Sequence, residues 1–171
     1  MTTKLSHLNA CPAAEFVAVC GPFFEHSPWI AERTAERRPF VDRTMLHAAL
    51  VATMHAAKVE EHLQLMNAHP DLVGRAALAG ELTAESTAEQ KSAGLGELSA
   101  DERRTFQSLN QAYRDKFGFP FIICARENKK DAILAGFAAR QGNSAEQEIR
   151  TALAEIAKIA RLRLLDAVEE T

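Results

Sequence analysis

At 171 residues the chain fits one domain, residues 1–171, and is long enough to bury a substantial core. Its 47% hydrophobic and 25% charged residues are ordinary for a soluble globular protein, and a net charge of −3 with dispersed basic residues argues against nucleic-acid binding. No run approaches the ~18–20 apolar residues that cross a bilayer, and the polar start Met1-Thr-Thr-Lys is unlike a signal peptide. The three cysteines, Cys11, Cys20 and Cys124, are an odd count without framework spacing, so free thiols in a reducing compartment are expected. Val168-Glu-Glu-Thr171 carries no targeting tripeptide, which leaves the cytoplasm as the expected location.

In chain order, Pro12 to Cys20 reads as a short helix, with proline in the first turn and Gly21 at the stop. Ser27-Pro28-Trp29 starts a second. Asp42 is placed to cap a third through about Ala57, and Val59 to Asn67 gives a fourth. One helix is expected to follow Pro70, and another to begin around Thr83 to Ser86. Ser99-Ala-Asp-Glu102 is a capping box that opens a long helix to Phe117. Lys129 to Arg140 is helical. Ser144-Ala-Glu-Gln147 opens the final helix to about Val168, with Ile149, Leu153, Ile156, Ala160 and Leu164 on one face. The prediction is an all-α, single-domain compact bundle of about eight helices.

Lys116-Phe-Gly-Phe-Pro-Phe-Ile-Ile-Cys-Ala-Arg126 interrupts this pattern. Gly118 ends the preceding helix, while Pro120 removes a donor and keeps Phe119 out of helical geometry. A short extended segment over about 119–125 is therefore expected. With no strand to pair with, its backbone groups need other partners, and a ligand is one candidate.

All six histidines lie in the first 69 residues, and His47, His55, His62 and His69 are spaced by eight, seven and seven. The chain lacks the His-x-x-x-His and Glu-x-x-His spacings that set two ligands on one helix face, so no metal site is predicted. His69 differs from the others because Pro70 holds it at a helix junction, with Asp71 near the start of the next helix. An imidazole that titrates near ~6.5 in peptides suits reversible proton transfer; an ordinary turn is the alternative there.

Ser86, Glu89 and Gln90 stand at i, i+3 and i+4 and share a helix face. They could grip a polar heterocycle, or Ser86 and Glu89 could form a capping box. Arg163 falls nearer the apolar face of the last helix than Arg161 does; an ion pair is the usual fate of such an arginine, a substrate anion the other. Cys124, flanked by Ile122, Ile123 and Ala125, reads as a buried small hydrophobe with a raised thiol pKa and not as a nucleophile.

Together, Phe24-Glu-His-Ser-Pro-Trp29, Asn67-Ala-His-Pro-Asp-Leu72, Gly80-Glu-Leu-Thr-Ala-Glu-Ser-Thr-Ala-Glu-Gln90, Lys116 to Arg126 and Ile156-Ala-Lys-Ile-Ala-Arg-Leu-Arg-Leu164 form an ordered set over nearly the whole chain. The set resembles the 2-oxo-4-hydroxy-4-carboxy-5-ureidoimidazoline (OHCU) decarboxylases of urate breakdown. The resemblance implies an all-helical homodimer that converts OHCU to (S)-allantoin and carbon dioxide without metal or organic cofactor. It implies His69 as the catalytic histidine, which is then expected to act as general acid–base, with Glu89 as the second catalytic residue. It implies substrate contacts at Pro70, Ser86, Thr87, Ala88, Glu89, Gln90, the backbone of Phe121, Ile122, Ile123, Cys124 and Ala125, and Arg163. Two other readings remain open on residues alone: a metal-dependent helical hydrolase and a non-enzymatic helical interaction module.

Overall fold

The computed structural model describes residues 2–170, and they divide into two compact units. One unit runs up to Ala68 and resumes at Ala157; the other runs from His69 to Ile156.

The first unit begins with strand β1 (Thr3–Lys4) and helices α1 (Leu5–Ala10) and α2 (Ala13–Cys20). A 3-10 turn at Gly21–Phe23 leads to α3 (Trp29–Ala35), α4 (Arg43–His55) and α5 (Val59–Ala68). Asp42 caps α4 as expected, its carboxylate accepting the Met45 N–H at 2.7 Å. Helix α3 packs on both α2 and α4, and the hydroxyls of Thr34 and Thr53 meet at 2.8 Å between α3 and α4. Phe16, Ile30, Leu46, Leu50 and Met54 are fully buried there.

Helix α1 has no sequence counterpart among the predicted elements. It lacks a side-chain cap, and burial of Leu5 and Leu8 is what holds it in place. At the other end of the chain, α10 (Ala145–Ala167) stops one residue short of the predicted end. Val168–Glu169 instead forms β2, which pairs in parallel with Thr3–Lys4. Arg43 ties this pair down by donating to the Val168 carbonyl at 3.0 Å.

The second unit contains α6 (Arg75–Ala79), α7 (Ala84–Ser92), α8 (Ala100–Phe117), a 3-10 turn at Ala125–Glu127, α9 (Lys130–Arg140) and the first half of α10. Both predicted capping boxes form. Ser99 and Glu102 exchange bonds at the start of α8, and Ser144 and Gln147 do so at the start of α10. Gly118 closes α8 in the left-handed region at φ 79°.

From Phe119 to Cys124 the chain is neither helix nor paired strand. Ala125 already belongs to the following 3-10 turn, so the extended run ends one residue earlier than predicted. An aromatic cluster holds this run from behind. Phe121 stacks on Phe137 at 3.8 Å between ring centroids and meets Tyr113 edge-on at 5.3 Å, while Phe106 meets Phe137 edge-on at 6.3 Å. Such pairs contribute ~0.5–1.5 kcal/mol each beyond their buried area. In all, ten α-helices stand among the described residues where about eight were expected.

Candidate active site

The turn that carries His69 is more constrained than the sequence suggests. Pro70 does not open a helix. Residues 70–74 form a tight turn, closed by the Gly74 N–H donating to the Asp71 carbonyl at 3.2 Å, and α6 starts only at Arg75. A Cβ at Gly74 would lie 2.7 Å from Asp71 Cβ, so the turn admits only glycine there. Val73 sits at φ 55°, a left-handed conformation that costs a β-branched residue ~1–3 kcal/mol.

Neighbouring helices stabilise this geometry. Gln90 of α7 accepts the Val73 N–H at 3.0 Å and donates to the Asp71 carbonyl at 3.5 Å. From α8, Asn110 donates to the Leu72 carbonyl at 2.7 Å, and Arg114 holds the Asp71 carboxylate at 2.8 Å. His69, at the head of the turn, is 7% exposed. Asp71 therefore serves an ion pair with Arg114 instead of the helix N-terminus expected for it.

On α7, Thr83 is the cap, accepting the Ser86 N–H at 3.2 Å. Capping therefore does not account for Ser86 and Glu89 together. Ser86 and Gln90 are buried and Glu89 is half-buried on their shared face, whereas Thr87 and Ala88 are exposed. Gln90, expected to read a ligand, also has its amide on the backbone of the turn after His69. Helix α7 packs against the 3-10 turn at Ala125–Glu127, which brings the Glu89 face to the end of the extended run.

Within that run Phe121, Ile122, Cys124 and Ala125 are buried and Ile123 is half-buried. Two side chains absent from the sequence reading hold its backbone. Glu155 of α10 accepts the Cys124 N–H at 2.8 Å. Arg140 of α9 donates to the Ile122 carbonyl at 2.6 Å, lies 4.3 Å from the Phe121 ring centroid, and pairs with the fully buried Glu148 at 2.7 Å. These residues escaped notice because an Arg or Glu on an amphipathic helix gives no sequence sign of reaching backbone in a distant loop. Burial, offset in part by Arg140, pushes the Tyr113 phenol beside this group well above its ordinary range. Burial likewise raises the Cys124 thiol, and the charges of Glu127, Glu155 and Glu89 add to it. A protonated thiol is a poor nucleophile, as the sequence implied.

In the first unit, Arg163 is 5% exposed, and its guanidinium donates to Glu25 and to the Pro22 carbonyl, each at 3.0 Å. Arg161 is exposed, so the face assignment from helical periodicity holds. The spaced histidines have separate roles there: the His47 ring bonds to the Ala157 carbonyl at 2.9 Å and the His62 ring to the Met54 carbonyl at 2.8 Å. His7, Cys11 and Glu15 place three potential ligand atoms within 4.8 Å of one another, with His7 hydrogen-bonded to Glu15 at 2.5 Å. All three cysteines are free and buried.

In the second unit a cavity of about 630 Å³ is lined by residues that include Val73, Leu78, Leu82, Thr87, Gln90 and Arg103. Neither His69 nor the 121–125 backbone lines it, so it is not where these groups would meet a ligand.

Comparison with known proteins bears out the family resemblance of the chain. Residues 9–165 match the family described as OHCU decarboxylase. The chain is 43% identical to the Haloferax volcanii 2-oxo-4-hydroxy-4-carboxy-5-ureidoimidazoline decarboxylase, over 95% of this chain and 94% of that protein. It is 41% identical to the protein of the same name from Halalkalicoccus jeotgali, over 92% and 87%. Among solved structures, it aligns with an (S)-allantoin synthase at TM-score 0.77 and 31% identity, covering 98% of this chain and about half, 54%, of that one. With a match that runs through nearly its entire length, this chain belongs to the OHCU decarboxylase family.

Proposed function

We propose that this protein is a carboxy-lyase of urate degradation that converts OHCU to (S)-allantoin and carbon dioxide. The observation that carries the reading is the buried His69 imidazole at the head of a turn fixed by Gln90, a residue of the same helix face as Ser86 and Glu89. Such a group can be held in one orientation and kept from bulk water, as stereospecific proton delivery requires.

The substrate supplies its own electron sink. Its C4 is tetrahedral, bearing hydroxyl and carboxylate, so the ring's carbon–nitrogen double bond lies at the adjacent C5, which carries the ureido arm. When the C4–carboxylate bond breaks, its electron pair forms a C4=C5 bond and the former C5=N pair moves onto nitrogen, which takes a proton. Loss of the C4 hydroxyl proton then makes the C4 carbonyl, and protonation of C5 on one face sets the handedness of allantoin. The net change is release of carbon dioxide and uptake of one proton.

His69 is assigned the acid–base role at the hydroxyl and C5. Glu89 accepts substrate hydrogen bonds and keeps the hydroxyl or His69 in register. Ser86 and Gln90 contact ring or ureido polar atoms, with Pro70, Thr87 and Ala88 shaping the same region. The backbone from Phe121 to Ala125 pairs with flat amide edges of the ligand. Arg163, pinned by Glu25 and Pro22, is the proposed holder of a carbonyl or anionic oxygen. The family resemblance also supports a homodimer working without metal or organic cofactor, and the cytoplasm remains the proposed location; no helix among the described residues is long and apolar enough to cross a membrane.

The direct test is His69→Ala, assayed on freshly generated OHCU. A folded variant is expected to lose ~10²–10⁴-fold in kcat/KM. Near-normal turnover by that variant would remove His69 from the chemistry.

A further inference from the structure

The geometry points to Glu155 and Arg140 as positioning residues that turn the backbone of Ile123 into a recognition edge for a cyclic amide or ureide. This rests on the functional reading above and names the part of the extended run that would read the ligand.

Peptide planarity sets the directions of the groups around Ile123. In a trans peptide, the C=O of one residue and the N–H of the next lie in one plane and point in opposite directions. The single cis bond among the described residues is Arg38–Pro39, so both peptides around Ile123 are trans. Arg140 holds the Ile122 carbonyl at 2.6 Å, which aims the Ile123 N–H away from Arg140. Glu155 holds the Cys124 N–H at 2.8 Å, which aims the Ile123 carbonyl away from Glu155. Both bonds involve a charged side chain and a backbone group, the stronger class of hydrogen bond.

Ile123 is thus left with one donor and one acceptor, and neither has a partner among the described residues. Ile123 is also the half-buried position in a stretch whose neighbours Phe121, Ile122, Cys124 and Ala125 are buried. Its side chain lies against Gly136. A Cβ at Gly136 of α9 would lie 3.5 Å from Ile123 Cδ1 and 3.3 Å from Phe121 Cζ, so the run lies tightly on that helix. A donor beside an acceptor complements the N–H/C=O edge of a urea or imidazolone, the groups that OHCU and allantoin both carry.

Arg140 is itself fixed. Its Nε donates to Glu148, which is fully buried, and its guanidinium lies over the Phe121 ring. Removing Arg140 alone would strand the Glu148 charge. The informative change is therefore the paired replacement Arg140→Met with Glu148→Met, beside Glu155→Met and the conservative Glu155→Gln, which keeps an oxygen acceptor for the Cys124 N–H.

Two measurements test the proposal. In the wild-type protein, amide hydrogen exchange followed by NMR should show Cys124 slow and Ile123 fast, and saturating (S)-allantoin should slow Ile123. In steady-state assays with OHCU, the paired replacement and Glu155→Met should each raise KM by about tenfold or more. Their kcat should stay within about threefold, the signature of lost uniform binding, and Glu155→Gln should recover most of the KM. An Ile123 amide as slow as Cys124 in the free protein, or unaffected by allantoin, would overturn the proposal. So would folded methionine variants with wild-type KM, or loss of kcat in step with thermal midpoint. If the methionine variants do not fold, the exchange contrast decides alone. Failure of the wild type to turn over OHCU would instead reject the functional reading, with exchange in the free protein still testing the clamp.

Discussion

Gln90 has a structural role that the sequence does not announce. Its amide spans two backbone groups of the turn after His69, including the N–H of Val73, a buried residue in left-handed geometry. Replacing Gln90 by Ala leaves that donor unpaired at a cost of about 1–3 kcal/mol, and the turn then relaxes from its strained conformation. Chemical denaturation of Gln90→Ala should show a loss of that size, and kcat should fall with it because the His69 imidazole is no longer held. Unchanged stability would mean the bond is incidental. Cys124 gives the opposite expectation. Its thiol is buried and its pKa is raised, so Cys124→Ala should keep activity within about threefold of wild type, since no chemistry passes through the sulfur. A folded but inactive Cys124→Ala protein would reverse that assignment.

At the scale of elements, α8 shows how local chemistry fixes the frame behind the site. Ser99 and Glu102 close a capping box at its start, and Lys130 at the first turn of α9 pairs with the same Glu102 carboxylate. The Lys130 bond, then the Ser99 N–H, lower the Glu102 pKa from 4.5 to about 2. Because the folded pKa lies below the unfolded one, this tie contributes stability above pH 4.5 and is lost as pH falls toward about 2. Glu102→Gln should therefore flatten the acid limb of the stability profile over that window; an identical limb would show the tie contributes nothing. Caps of this kind were legible in sequence because they need only a few adjacent residues, as at Ser99, Ser144 and Asp42. Helix α1 and the strand pair of Thr3–Lys4 with Val168–Glu169 were not, because α1 has no cap and the strands pair residues at opposite ends of the chain. The turn after Pro70 was misread for a similar reason. Proline favours a helix start locally, but Gln90, Asn110 and Arg114, all distant in sequence, hold residues 70–74 in another conformation.

At the scale of the whole molecule, the residues of the candidate site were legible as candidates and the side chains that support them were not. His69, the Ser86–Glu89–Gln90 face and the apolar interruption at 119–125 stand out because each breaks or exceeds what helix formation requires. Glu155, Arg140 and Glu148 do not stand out, since charged residues are the default on helices and only the folded chain shows where they reach. The central claim is that this chain converts OHCU stereospecifically. Spontaneous decay of OHCU gives racemic allantoin, so circular dichroism of the product formed with purified protein tests the claim directly. Rapid loss of OHCU and a product with the full signal of (S)-allantoin are expected. A racemic product formed at the uncatalysed rate would contradict the claim.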